Sequence, residues 1–138
     1  LKGAFFSSQC FALQLKSINK PGSIINLGSL SSSIGIPTAT AYTSSKSGIL
    51  GMTKALSAEW ANSNIRVNSI APGYFRTSLT EVFYSDENWQ KTMLDKIPMK
   101  RFGKMEDLHG ITILLASDAS SYITGQIFYI DGGFISSI

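Results

Sequence analysis

Tyr42 and Lys46 stand four residues apart, and Ser29 lies thirteen positions before the tyrosine. On a helix, residues at i and i+4 share one face about one turn from each other. A phenol with a pKa near 10 is a poor base at neutral pH, yet a neighbouring ammonium favours the phenolate and makes such a tyrosine a workable proton donor and acceptor. A serine hydroxyl aimed at the same oxygen would polarise a carbonyl as hydride arrives, or steady an alcohol as hydride leaves. The three residues therefore suit the interconversion of an alcohol and a carbonyl. Taken alone, Tyr-x-x-x-Lys is weak, because a surface pair of this kind occurs on any helix. The elements around it decide its meaning.

Residues 1–18 carry Leu1, Phe5, Phe6, Ala12, Leu13 and Leu15 with helical spacing, and Pro21-Gly22 ends that helix. Residues 23–28 (SIINLG) form a short β-branched run between Pro-Gly and a serine-rich turn, which predicts a buried strand with Ser29 at its carboxyl end. A Ser, Gly and Pro loop spans residues 30–39. Ile49, Met52, Leu56 and Trp60 then set a second helix over 42–60, and residues 65–71 (IRVNSIA) a second strand closed by Pro72-Gly73. Residues 74–103 are irregular and aromatic, as in a lid or binding segment. A third helix is predicted over 105–117, with Glu106 and Asp107 in its first turn, and a last strand over 126–130, stopped by Asp131-Gly132-Gly133. Strands alternating with helices imply an α/β fold with a parallel sheet, helices on both faces and right-handed crossovers. Ligands of such sheets sit beyond the carboxyl ends of strands, where Ser29, Tyr42, Lys46 and Pro72-Gly73 all fall.

The 138 residues, 43% of them hydrophobic, are enough for one domain with a real core and too few for two. The net charge of +3 is scattered. Only Lys100, Arg101 and Lys104 gather, and Glu106 and Asp107 follow at once, which reads as a solvated loop and helix start and not as a nucleic-acid patch. The single cysteine, Cys10, excludes an internal disulfide and fits a cytoplasmic location; it is expected to be a small buried side chain. His109 has no ligand-spaced partner, so no metal site is expected, and it should lie on a helix surface. No apolar run reaches the roughly 20 residues of a membrane span. Trp60 is expected to pack in the core. Phe83, Tyr84 and Trp89, in the lid-like segment, are candidates for touching substrate. The opening LKGAFF has neither an initiator methionine nor a helix-start pattern, which reads as a fragment.

Ala41-Tyr42-Thr43-Ser44-Ser45-Lys46, Ile65-Arg66-Val67-Asn68, Pro72-Gly73-Tyr74-Phe75-Arg76-Thr77, Leu115-Ala116-Ser117-Asp118 and Asp131-Gly132-Gly133 follow one another as in the short-chain dehydrogenase/reductase family. Over nearly its whole length the chain resembles the C-terminal half of that family. The resemblance implies a Rossmann-type doubly wound parallel sheet of which only the C-terminal strands and helices are present. Residues 1–138 would form the catalytic and substrate-lid part of a single domain whose N-terminal dinucleotide-binding half is absent. It implies NAD or NADP as cofactor, the segment that discriminates them also being absent, along with the family's glycine-rich turn and catalytic asparagine.

By position, Ser29 would orient substrate, Tyr42 would be the general acid/base, and Lys46 would lower the tyrosine pKa while bonding the nicotinamide ribose. Tyr42 and Lys46 thus belong to the cofactor site as well. Pro72-Gly73 would cover the nicotinamide ring, and the Phe75 amide and Thr77 hydroxyl would hold its carboxamide. Gly28 stands where many relatives have serine, and Ser31, Ser32 and Ser33 are assigned to the loop. The resemblance further implies a homo-oligomer, dimer or tetramer, with the first two helices in one contact and the last strand, with its Asp-Gly-Gly turn, in another. The implied function is an NAD(P)-dependent oxidoreductase acting on an alcohol/carbonyl substrate in the intact protein. In detail the motifs are most similar to sugar and sugar-acid dehydrogenases of the gluconate 5-dehydrogenase type, with 3-oxoacyl carrier-protein reductases next. The alternative is a truncated, inactive remnant that keeps only association surfaces, active if at all with a companion N-terminal segment.

Overall fold

Pro21 and the left-handed Asn19 stop the first helix, α1 (Lys2–Ser17), and the chain turns into β1 (Gly22–Leu27). The computed structural model describes residues 1–78 and 80–137. After β1 come α2 (Thr40–Trp60), β2 (Ile65–Pro72), α3 (Glu81–Tyr84), α4 (Glu87–Lys96), α5 (His109–Ala116) and β3 (Ile127–Ile130). The order predicted from periodicity is the order found. The strands form one parallel sheet, β1-β2-β3, with Gly22 opposite Ile65 and Leu27 opposite Ile70, and with Ser69 opposite Ile127 and Pro72 opposite Ile130.

One face of the sheet packs on α1 and α2, where Ala12, Ile24, Leu56, Trp60, Ile65 and Val67 form the main core, flanked by Phe5, Leu15 and Met52. Trp60 is a packing residue, as its spacing predicts. The other face meets α5, whose Leu115 carbonyl accepts hydrogen bonds from Ser23 Oγ (2.7 Å) and Arg66 Nη2 (3.0 Å). Helices therefore cover both faces, as the alternating pattern requires.

The central strand β2 is buried along nearly all its length yet contains Arg66 and Asn68. Asn68 is fully buried; its Nδ2 donates to the Ile123 carbonyl (2.9 Å) and its Oδ1 accepts from the Gln126 amide (3.0 Å). An unpaired buried amide would cost about 1–3 kcal/mol, so these two bonds are what allow asparagine there. They also fix the approach of the chain into β3.

Cys10 corrects an expectation. It is exposed, because α1 turns Ser8 and Ala12 toward the core and a residue two places beyond Ser8 lies on the opposite side of the helix. The third helix starts with a 3₁₀ turn, Met105–Leu108, before α5 proper. Asp107 there accepts from the Lys104 amide (2.8 Å) and pairs with Arg101 (2.7 Å), a solvated helix start as the charge pattern predicts, and His109 is exposed. Among the described residues no helix is long and apolar enough to cross a membrane, and no group of three His, Cys, Asp or Glu side chains could hold a metal ion.

Candidate active site

The carboxyl end of β1 runs straight into the serine loop. Gly28 donates its amide to the Ile70 carbonyl (2.8 Å), and a Cβ at this position would stand 3.0 Å from Ser69 Oγ and 3.3 Å from Leu50 Cδ1, so a side chain here would crowd β2 and α2. Ser29 then takes an extended backbone and caps the 3₁₀ turn Leu30–Ser32. Its amide donates to Ser32 Oγ (3.1 Å). Its Oγ accepts from the Ser31 amide (3.2 Å) and from Ser31 Oγ (2.9 Å).

This pattern fixes what Ser29 can do. A hydroxyl has one donor and two acceptor positions. With both acceptor positions taken by Ser31, Ser29 has its own O–H left to offer, so it can polarise a carbonyl oxygen but is poorly placed to accept a proton. Ser31 and Ser32 lie in the loop as assigned from the sequence, yet they are more than filler: they set the role of their neighbour. Spacing alone gives no hint of this, because the bonds arise from a single irregular turn.

Tyr42 and Lys46 occupy the first turns of α2. Lys46 Nζ lies 5.8 Å from the Tyr42 ring centroid and donates to the Leu27 carbonyl, the last of β1, at 2.9 Å. The lysine is thereby tied to the carboxyl edge of the sheet beside the tyrosine, and Tyr42 keeps 45% of its surface exposed. The structure brings the pair together on one face, as the i, i+4 spacing predicts.

The Pro72–Thr77 turn is braced from both sides. Gly73 donates to the Ile130 carbonyl (2.9 Å), and a Cβ there would fall 2.7 Å from Asp131 Cβ, which restricts the position to glycine. Thr80 Oγ1 accepts from the Thr77 amide (2.9 Å), donates to the Phe75 carbonyl (2.9 Å) and lies 3.1 Å from Thr77 Oγ1. The Phe75 ring is buried against Gly103. Its N–H makes no hydrogen bond to another described residue, and that free donor beside the Thr77 hydroxyl fits the carboxamide of a nicotinamide.

Ser29, Tyr42 and Gly73 open into one cavity of about 240 Å³ with Leu30, Ile36 and the lid. The three lid aromatics singled out in the sequence, Phe83, Tyr84 and Trp89, all line it. Their rings are locked together: Tyr84 meets Trp89 edge-on at 5.1 Å and Phe102 at 4.7 Å, and Trp89 stacks on Phe102 at 6.0 Å. Such pairs favour offset and edge-to-face geometry, which gives the lid a fixed wall. Asp86 supports it from outside by capping α4 through the Asn88 (2.9 Å) and Trp89 (3.1 Å) amides. Burial, reinforced by the nearby Tyr74 phenol, pushes the Tyr84 phenol up to about 12, so it is a neutral O–H donor at physiological pH. Leu30 and Ile36 are wall residues that the serine- and glycine-rich loop hides from a reading of the sequence.

A parallel α/β sheet with helices on both faces is the Rossmann-type class, and the comparisons with known proteins narrow it. The family model described as enoyl-(acyl carrier protein) reductase matches residues 1–135, and the chain belongs to the short-chain dehydrogenase/reductase family. It is 42% identical over 136 residues to 2-dehydro-3-deoxy-D-gluconate 5-dehydrogenase of Dickeya dadantii, covering 99% of this chain and 54% of that protein. The crystal structure of a gluconate 5-dehydrogenase from Burkholderia cenocepacia in complex with NADP and tartrate superposes with a TM-score of 0.97 at 34% identity, over 100% of this chain and 54% of that one. A 4-hydroxyisoleucine dehydrogenase complexed with NADH gives 0.97 at 33% identity, over 100% and 57%. The chain spans about half the length of the relatives it matches.

Proposed function

We propose that residues 1–138 are the C-terminal, catalytic and lid-bearing part of a single Rossmann-type domain. The intact protein is then an NAD(P)-dependent oxidoreductase acting on an alcohol/carbonyl pair. The observation that carries this reading is the shared cavity: Ser29 and Tyr42 line it together, and Lys46 sits one helical turn behind the tyrosine. When bound, the nicotinamide supplies or accepts the hydride. Ser29 donates a hydrogen bond to the reacting oxygen. Tyr42 gives or takes the proton at that oxygen, and the Lys46 cation stabilises negative charge developing on the phenol. Pro72, Gly73, Phe75 and Thr77 hold the nicotinamide end of the cofactor, with Lys46 and Tyr42 toward its ribose. Sugars and sugar acids are the substrate class suggested by the names of the relatives.

The protein is proposed to be cytoplasmic and a homo-oligomer, dimer or tetramer. Phe6 and Leu13 support an association surface on α1, since seven residues apart they share one helix face and each leaves about half or more of its surface exposed. The same exposed apolar surface favours a second reading, in which the chain by itself is an inactive remnant that only associates. Native mass measurement separates the two, because an enzyme requires a companion segment and a remnant does not.

The test is Tyr42→Phe in the intact protein. Turnover linked to NAD(P)H is expected to fall by about 10²–10⁴, the usual contribution of a positioned general acid/base, with the circular dichroism spectrum unchanged. An undiminished rate would remove the proposal.

A further inference from the structure

The serine turn that carries Ser29 is tied to two different parts of the molecule. Leu30 is buried with Ile97 and Phe134, and Ser33 Oγ meets the Tyr129 hydroxyl of β3, so the turn is packed onto the C-terminal part of the chain. Tyr42, in contrast, is carried by α2. The separation of the two hydroxyls that the proposed chemistry needs is therefore set where the turn and α2 are joined. Among the described residues one hydrogen bond joins them: Ser47 Oγ donates to the Ser32 carbonyl at 2.9 Å.

Ser32 closes the turn around Ser29. Its amide donates to the Ser29 carbonyl (3.0 Å) and its Oγ accepts from the Ser29 amide (3.1 Å), so holding the Ser32 carbonyl also holds Ser29. Lys46, the neighbour of Ser47, grips the chain before Ser29 through the Leu27 carbonyl (2.9 Å). Two consecutive residues of α2 thus fasten the backbone on either side of Ser29. They are not equivalent, because Lys46 also serves Tyr42 and the nicotinamide ribose in the chemistry proposed above, whereas Ser47 has a single O–H and gives it to the turn. Ser45 provides a contrast on the same helix: its hydroxyl donates to the Tyr42 carbonyl (2.8 Å), a bond that stays within α2.

Resting on the oxidoreductase reading above, we infer that Ser47 is a positioning residue for the reaction: its hydroxyl fastens the serine turn to α2 and so keeps Ser29 Oγ in register with Tyr42 Oη at the reacting oxygen. It touches neither substrate nor cofactor and exchanges no proton with them. Ser47 is exposed, so water can take its place on the Ser32 carbonyl when the hydroxyl is removed, and the fold is kept. What is lost is the fixed placement of Ser29 against Tyr42, to which the rate of a positioned reaction is sensitive.

Ser47→Ala, Ser47→Thr and Ser45→Ala in the intact protein test this with two readouts. Amide hydrogen exchange needs no turnover: at Ser31 and Ser32 it is expected to quicken about fivefold in Ser47→Ala, the equivalent of one neutral hydrogen bond, and to stay at the wild-type rate in the other two variants. NAD(P)H-linked kcat is expected to fall about fivefold in Ser47→Ala, with substrate KM and the pH profile of kcat unchanged because the Tyr42–Lys46 pair is untouched. Ser47→Thr, which keeps the hydroxyl, should restore the rate, and Ser45→Ala should match wild type. Unchanged exchange in Ser47→Ala would overturn the inference, as would faster exchange with an unchanged kcat, an equal loss in Ser45→Ala, or no rescue by Ser47→Thr. Failure of the hydride-transfer reading shows separately, in the Tyr42→Phe rate, while the exchange data still report whether Ser47 holds the turn.

Discussion

Replacing Ser31 with alanine removes one hydroxyl and leaves the rest of the serine loop in place. Ser31 is 1% exposed, and its Oγ gives the shorter of the two hydrogen bonds received by Ser29 Oγ, 2.9 Å against 3.2 Å from the backbone amide. A neutral hydrogen bond of this kind contributes about 1 kcal/mol. If that contribution serves to hold the Ser29 O–H toward substrate, its loss corresponds to about a fivefold fall in rate. The fall should appear in kcat and leave KM nearly unchanged, because the bond matters most as charge develops on the reacting oxygen. Ser29→Ala, which removes the donor itself, should cost about 10²–10³. Ser31→Cys, with its weak S–H donor, should fall between wild type and Ser31→Ala. Steady-state kinetics of NAD(P)H-linked turnover by the intact protein measure all three. Ser31→Ala with wild-type kcat, or with a loss as large as Ser29→Ala, would refute the assignment of the free O–H to Ser29.

Gly103→Ala is expected to disturb the proposed nicotinamide side of the site. A Cβ at that position would lie 2.4–2.6 Å from three atoms of the Phe75 ring, so the ring and its backbone must move, and KM for the cofactor should rise several-fold while the fold remains cooperative in urea titration. Asp107 should give the chain a pH-dependent increment of stability. The Arg101 guanidinium, helped by the Lys104 amide, holds its carboxyl well below the usual carboxylate range. That increment is present above the unfolded value of about 3.9 and is lost as pH falls through the lowered folded one. Urea midpoints of wild type and Asp107→Asn should therefore differ modestly near neutrality, since the pair is exposed, and converge in acid; a gap that widens as pH falls would contradict this.

The parts of the fold that repeat were legible in the sequence. Ile49, Met52, Leu56 and Trp60 set α2 by spacing alone, and the Pro-Gly and Asn punctuation placed β1 and β2 within a residue or two. Tyr42 and Lys46 were legible for the same reason, since helical periodicity dictates their common face. What stayed hidden depends on single irregular contacts. Cys10 looked buried because its neighbours are apolar, whereas the inward stripe of α1 is defined by Ser8 and Ala12. The roles of Ser31 and Ser32 follow from one capped turn inside a run of serines that all look alike. In the lid, the helix α4 and the Tyr84 hydroxyl, unpartnered among the described residues, emerge only when Trp89 and Phe102 close around the tyrosine ring.

The proposed chemistry requires Ser29 and Tyr42 to meet one substrate oxygen. A crystal structure of the intact protein with nicotinamide cofactor and a bound alcohol measures this directly. It is expected to place both Ser29 Oγ and Tyr42 Oη about 2.6–3.2 Å from the alcohol oxygen, with Lys46 Nζ on the tyrosine side. An alcohol bound with its oxygen out of reach of both hydroxyls would contradict that chemistry.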